Sequence, residues 1–248
     1  MQAARNYRGK AILALSVVVT LTVVGCAATR QRRGAPESSG FLGDYSQLEK
    51  NPNFGASLVY VRPGVQWANY NAIQIDSVGL WGDAKTASIS PEDQQMLTDM
   101  LYKSLYDDLS KVFTITDRPG PNTLRLRVAL TQAQGAKVAI RVLTTIVPQL
   151  RMAGGIVGLA GDTATTVGSA TVEMEVLDSV TNERLAAAVD DRAGTKVLFA
   201  KRAYETWGDV GSACDFWSKR IAWRLALEGV QRKPGVAMPE EPSQSRTI

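Results

Sequence analysis

Residues 11–24 form an uninterrupted uncharged run, Ala-Ile-Leu-Ala-Leu-Ser-Val-Val-Val-Thr-Leu-Thr-Val-Val, preceded by Arg5, Arg8 and Lys10 and closed by Gly25-Cys26. A basic start, an apolar middle and a small-residue end, in that order, describe a secretory signal. The fold must therefore be built from the chain beyond Gly25. A run of 14 residues falls short of the ~20 that a helix needs to cross a hydrocarbon core of ~30 Å, which argues against a permanent membrane span. Cleavage before Cys26 removes three basic residues and no acid, so the net charge of +4 falls to +1. Binding nucleic acid through bulk charge loses its support, and no strong field remains to steer a charged partner.

Val23-Val24-Gly25-Cys26 resembles the bacterial lipobox, in which lipid is added to the cysteine sulfur and a peptidase cuts just before that residue. The small residue before the cysteine admits the peptidase to the backbone, and the thiol is the acceptor. The resemblance implies acyl chains, palmitate among them, on a mature N-terminal Cys26. At ~0.8 kcal/mol per buried CH₂ several chains hold a protein far more firmly than one. Ala27 follows where lipoproteins retained in the inner membrane typically carry Asp, so the resemblance implies the periplasmic face of the outer membrane in a host with two membranes.

The chain contains no histidine. Its absence removes the commonest general base, the commonest metal ligand and every Ser-His or Cys-His nucleophile arrangement. Cysteines occur at 26 and 214 alone. With lipid on Cys26, the chain holds no second thiol for an intramolecular disulfide, and Cys214, inside Ala213-Cys214-Asp215-Phe216-Trp217, reads as a buried small hydrophobe.

With 45% hydrophobic and 21% charged residues in 248, the mature chain can bury one ordinary core. Residues 26–40, small, polar and basic, read as a lipidated N-terminus and flexible tether, whose Arg30, Arg32 and Arg33 either touch anionic headgroups or are simply solvated. A single globular domain is expected over 41–233, and a disordered Pro- and Glu-containing tail over 234–248. Within the domain Leu58-Val59-Tyr60-Val61 and then Ile73, Ile75 and Leu80 suggest strands. Ser90-Pro91-Glu92-Asp93 opens a helix with a hydroxyl cap, a first-turn proline and acids at the positive dipole end. That helix should run to about Ser110, burying Met96, Leu97, Met100, Leu101, Leu105 and Leu109 as one stripe. A short strand at 113–116 should turn at Asp117 to Asn122 into the alternating Leu124, Leu126, Val128 and Leu130, with one wet face. Val172, Met174 and Val176 should turn at 178–182 into Leu185 to Val189. A last helix, Trp207 to Glu228, carries Val210, Trp217, Ile221 and Leu225 on one face and stops at Gly229. The pattern predicts an α+β fold, mainly an antiparallel sheet packed against two long helices.

Gly40-Phe41-Leu42-Gly43-Asp44-Tyr45-Ser46-Gln47-Leu48 resembles the bacterial lipoproteins grouped as domain of unknown function 3313, as do Gly168 to Asp178 and the following Leu185 to Gly194. Asn182 stands where that family's hairpin is expected to carry glycine, but asparagine also tolerates φ > 0. The resemblance implies an envelope lipoprotein and supplies no activity, cofactor or catalytic residue.

Several candidate sites have a plain structural alternative. Phe41 and Tyr45 could dock a partner, or with Leu48 cover the core edge, and Trp67, Tyr70 and Trp81 read as packing. The uncharged stretch 152–161 contains Gly154, Gly155, Ile156, Val157 and Gly158, with small residues at the four-residue spacing of close helix contacts in membranes. It could touch a bilayer or a partner, or be a flexible loop. It is too short to span as a helix, and no Gly-Lys-Ser/Thr follows to make a phosphate loop. Asp190 and Asp191 beside Arg192, and Glu173 and Glu175 on one strand face, are the acids available for carboxylate chemistry. Two acids on an exposed strand face more often simply solvate it, and their spacing matches no calcium loop. No metal or cofactor is implied. The sequence leads to a non-enzymatic lipoprotein that binds an envelope protein, lipid or glycan. The alternatives are a subunit of an export or pore-type assembly seamed by 152–161, and a histidine-free hydrolase.

Overall fold

A computed structural model describes residues 29–32, 36–51, 53–82, 89–135, 168–194 and 207–243. Cys26, the signal and the glycine-rich stretch 152–161 lie outside the described residues. Among these residues, eight strands and two long helices follow in the order β1 (Thr29–Gln31), β2 (Leu58–Val61), β3 (Ala72–Ile75), β4 (Gly79–Leu80), α1 (Pro91–Val112), β5 (Thr114–Thr116), β6 (Thr123–Gln134), β7 (Ser169–Asp178), β8 (Arg184–Gly194) and α2 (Gly208–Glu228). The fold is α+β.

The sheet is mixed, which corrects the expected mainly antiparallel one. Its centre, β6-β7-β8, is antiparallel, and both β1 and β2 pair antiparallel with β8. On the other flank β3 and β4 run parallel to β6, and β3 runs parallel to β5. A parallel neighbour needs a crossover, and α1 supplies it between β3 and β5. The segment 117–122 therefore does not close a hairpin. It carries the chain from one side of β3 to the other, so that β5 and β6 flank β3 without pairing to each other.

The opening of α1 follows its sequence closely. Ser90 Oγ accepts from the Asp93 N–H at 3.2 Å, Pro91 occupies the first turn, and Glu92 and Asp93 face the dipole. Leu97, Leu101, Leu105, Leu109 and Val112 are buried. Met96 is 39% exposed, outside the expected stripe, because the four-residue row set by the leucines leaves it one step around the helix. Val210, Trp217, Ile221 and Leu225 of α2 are buried together with Cys214. Gly229 ends α2 at φ 106°, a left-handed conformation that glycine adopts without steric cost. Asn182 holds φ 57° in the β7-β8 turn, as expected, while Asp178 Oδ1 accepts from the Val180 and Thr181 N–H groups.

The helices cover one face of the sheet, over Leu124, Leu126, Val128, Leu130, Val172 and Val176. Burying each such side chain contributes roughly 1.5–3 kcal/mol before chain entropy is counted. The opposite face is covered as well. Leu42, Ala187 and Val189 are buried there with Phe41, Tyr45, Leu48, Leu58 and Tyr60 packed around them, so the segment after residue 36 is a third layer. Thr29–Gln31, inside the expected tether, pairs with Gly194–Arg192 as β1. Residues 234–243 form no helix or strand, but Glu241 meets Arg220 at 2.6 Å.

Candidate functional site

The strand alternation of β7 aims its two acids at the third layer. Glu173 and Glu175 are 0% and 3% exposed, which corrects the expectation of a solvated face. Two carboxylates cannot be buried without partners, and each has a set. Glu175 meets Arg127 and takes Arg184 Nε at 2.9 Å. Glu173 accepts from the Tyr45 hydroxyl at 2.5 Å and the Ser39 N–H at 3.0 Å. The Tyr45 oxygen in turn accepts from the N–H groups of Gly40 and Leu42. Arg184 continues to the carbonyls of Leu42 and Asp44. Phe41 lies edge-on to Trp81 at 5.8 Å and under the Arg127 guanidinium, while Trp81 remains 49% exposed.

The other acidic group divides between the faces. Asp190 and Arg192 point under α2 and are each 1% exposed. Asp190 Oδ2 takes the Trp217 indole N–H at 2.8 Å and Arg192 at 3.3 Å, and its Oδ1 takes Gln31 Nε2 at 3.0 Å and Ser57 at 3.3 Å. Arg192 stacks on Phe216, 3.5 Å from the ring centre. Burial lowers the Arg192 pKa, against the pull of Asp190. Asp191, one residue on, faces the opposite side and reaches Arg32 at 3.4 Å; burial raises its pKa, with Arg32 opposing. Asp190 and Asp191 are thus not a pair, because successive strand residues point to opposite faces. Among the described residues no group of three or more Cys, Asp or Glu is placed to hold a metal ion. Of the aromatics, Trp67 is buried and Tyr70 donates to Asp178 at 2.9 Å; burial and that carboxylate push the Tyr70 hydroxyl up to about 12.

The feature that sequence reasoning missed is an apolar cavity of about 110 Å³ between α2 and the β2-β8 flank. Ala186 and Ala188 on β8 form its floor, Val59 and Val61 one wall, Trp217, Ile221 and Leu225 the other, and Phe54 to Ala56 its rim. The space exists because β8 puts alanine where β6 and β7 put Leu, Val and Met. Arg220 and Arg224, one turn apart on α2, line it too, together with Glu175, Asp190 and Glu228. The signal was available in Leu185-Ala186-Ala187-Ala188-Val189: consecutive small residues in a central strand leave room on both faces. An apolar recess with few charged groups is the usual form of a small-ligand site. No helix among the described residues is long and apolar enough to cross a membrane.

The chain belongs to the family described as Protein of unknown function (DUF3313), whose model matches residues 37–221. No curated protein matches it. Among solved structures, the PelC dodecamer from Paraburkholderia phytofirmans is similar at 10% identity and a TM-score of 0.37, covering 71% of this chain and 96% of that one. A point variant of the same dodecamer gives 10% identity and a TM-score of 0.33, covering 63% and 92%.

Proposed function

We propose that this DUF3313 member is a lipid-anchored protein of the bacterial envelope, held through Cys26 on the periplasmic face of the outer membrane, whose domain works by binding. One contrast carries the binding reading. The buried acids Glu173, Glu175 and Asp190 are spent on arginine, tyrosine, tryptophan and backbone partners, whereas the recess between α2 and β8 is apolar and unfilled. A general acid or base must reach a substrate proton; Glu175 and Asp190 lie on the lining of the recess, but their oxygens are taken up by Arg127 and Arg184 and by Trp217, Gln31 and Arg192.

Val23 to Cys26 supports the anchor, and the position of β1 adds a geometric consequence. Thr29 follows Cys26 by three residues, a reach of about 10 Å when extended. Lipid on Cys26 would therefore hold the β1-β8 edge close to the bilayer. Growth with an alkyne analogue of palmitate tests the anchor: the label should enter the wild-type chain, and Cys26→Ala should abolish both label and membrane retention. Retention of an unlabelled Cys26→Ala chain would refute lipid anchoring.

A further inference from the structure

We propose that the cavity between α2 and β8 binds the end of a single alkyl chain that carries an anionic head group, with Arg220 and Arg224 receiving the head. This names the ligand class for the binding reading above and rests on it. An apolar cavity of about 110 Å³ is of the order of engineered ones that stay dry and admit one small hydrocarbon. A space of that volume takes the end of one alkyl chain. The two guanidiniums share the lining with Glu175, Asp190 and Glu228, and of these five groups Arg220 alone keeps a buried donor with no hydrogen-bond partner, which is costly and is relieved by an anionic acceptor.

Arg220 is the better placed of the two. Its side chain is 7% exposed, its Nε donates to the Phe54 carbonyl at 2.9 Å, and its Nη1 meets Glu241 at 2.6 Å. Its buried Nη2 has no hydrogen-bond partner. Arg224 lies 3.8 Å over the Phe54 ring and holds Glu228 at 2.5 Å. Glu241 belongs to the coil beyond α2 and is 53% exposed, so its carboxylate is an exchangeable stand-in for the head group. An incoming anion displaces Glu241, adds an acceptor for Nη2 and sits within reach of both cations. The third nearby cation, Arg192, is already matched by Asp190.

The experiment uses the full chain in isolated membranes and four photoreactive probes: a diazirine palmitic acid, the corresponding uncharged alcohol, and a diacyl and a lyso phosphatidylglycerol bearing the same diazirine. The acid should label peptides spanning 54–61 and 216–228, with the alcohol and the diacyl lipid at least about tenfold weaker, a difference of about 1.4 kcal/mol. A lysophosphatidylglycerol probe that labels as well as the acid would support the same chemistry from a phospholipid source. Ala188→Leu should fill the cavity and reduce acid labelling about tenfold while the thermal midpoint is kept, and Glu241→Gln should increase it. Arg220→Gln, read beside them, should abolish the preference of acid over alcohol even if Ala188→Leu proves unstable, and Arg224→Gln should weaken it. Equal labelling by acid and alcohol, or labelling unchanged in a folded Ala188→Leu chain, overturns the proposal. Absent labelling in a chain still anchored by palmitate overturns this ligand and leaves the anchor standing, whereas release from the membrane with labelling intact does the reverse.

Discussion

The indole N–H of Trp217 on α2 donates to Asp190 Oδ2 on β8 across 2.8 Å, joining helix to sheet through a carboxylate that is also paired with Arg192. Removing the carboxylate would leave Arg192 as an uncompensated buried charge. Asp190→Ala should therefore cost about 3–5 kcal/mol of unfolding free energy, and Trp217→Phe, which deletes one hydrogen bond to a charged group, about 1.5–3 kcal/mol. Urea denaturation checks both. An Asp190→Ala chain as stable as wild type would mean that this carboxylate does not join α2 to the sheet.

Across the same edge, Asp209 in the first turn of α2 accepts from the Gly168 N–H at 2.6 Å and crowds against Gly194 at the end of β8. A Cβ on Gly194 would stand 2.0 Å from Asp209 Oδ1, so the carboxylate would have to leave its place. Gly194→Ala should destabilise by about 1–3 kcal/mol, the usual cost of overpacking. Gly229→Ala meets no atom within 4 Å and is penalised only through its φ of 106°. A comparison of thermal midpoints separates steric from conformational cost, and equal shifts for the two would argue against close packing at Gly194.

What the sequence made legible was local. The start of α1 is written in Ser90 to Asp93, the stop of α2 in Gly229, and the β7-β8 turn in Asp178 to Asn182, each through chemistry confined to a few neighbours. The parallel pairing of β3 with β6 was not legible, because it joins residues some fifty positions apart through α1 and leaves no periodic trace. Glu173 and Glu175 misled for a related reason. Apolar-polar alternation reports that a strand has two unlike faces, and only the third layer, with Tyr45, Arg127 and Arg184, makes the polar one dry. The cavity floor at Ala186 and Ala188 escaped because small side chains score as unremarkable in any hydrophobic pattern.

One hydroxyl ties three points of that third layer together. The Tyr45 oxygen donates to Glu173 and accepts from the Gly40 and Leu42 N–H groups, so Tyr45→Phe deprives three groups at once. The expected loss is about 1–3 kcal/mol, by the cost of leaving buried polar groups unmet. Because the layer contacts the sheet mainly around Leu42, the segment 36–48 should loosen before the rest unfolds. Limited proteolysis should cut Tyr45→Phe within that segment while the core persists. If the variant is as resistant as wild type, the Tyr45 hydroxyl is not a strut of this layer.

Asp191 gives the fold a pH dependence whose direction can be derived. Burial raises its pKa from 3.8, Arg32 at 3.4 Å pulls the other way, and the charge of Asp190 adds to the rise. A carboxyl with a raised folded pKa favours the protonated form in the native state. Its contribution to stability is then fully present below about 3.8 and is lost as pH climbs through the folded value. Asp191→Asn cannot ionise and escapes that loss. Its stability relative to wild type should therefore increase between about pH 4 and pH 7, whatever the offset at the acid end. Denaturant midpoints for the two chains measured in parallel across that range provide the check. A difference that stays flat or shrinks with rising pH would mean that the Arg32 pair, and not burial, governs this carboxyl.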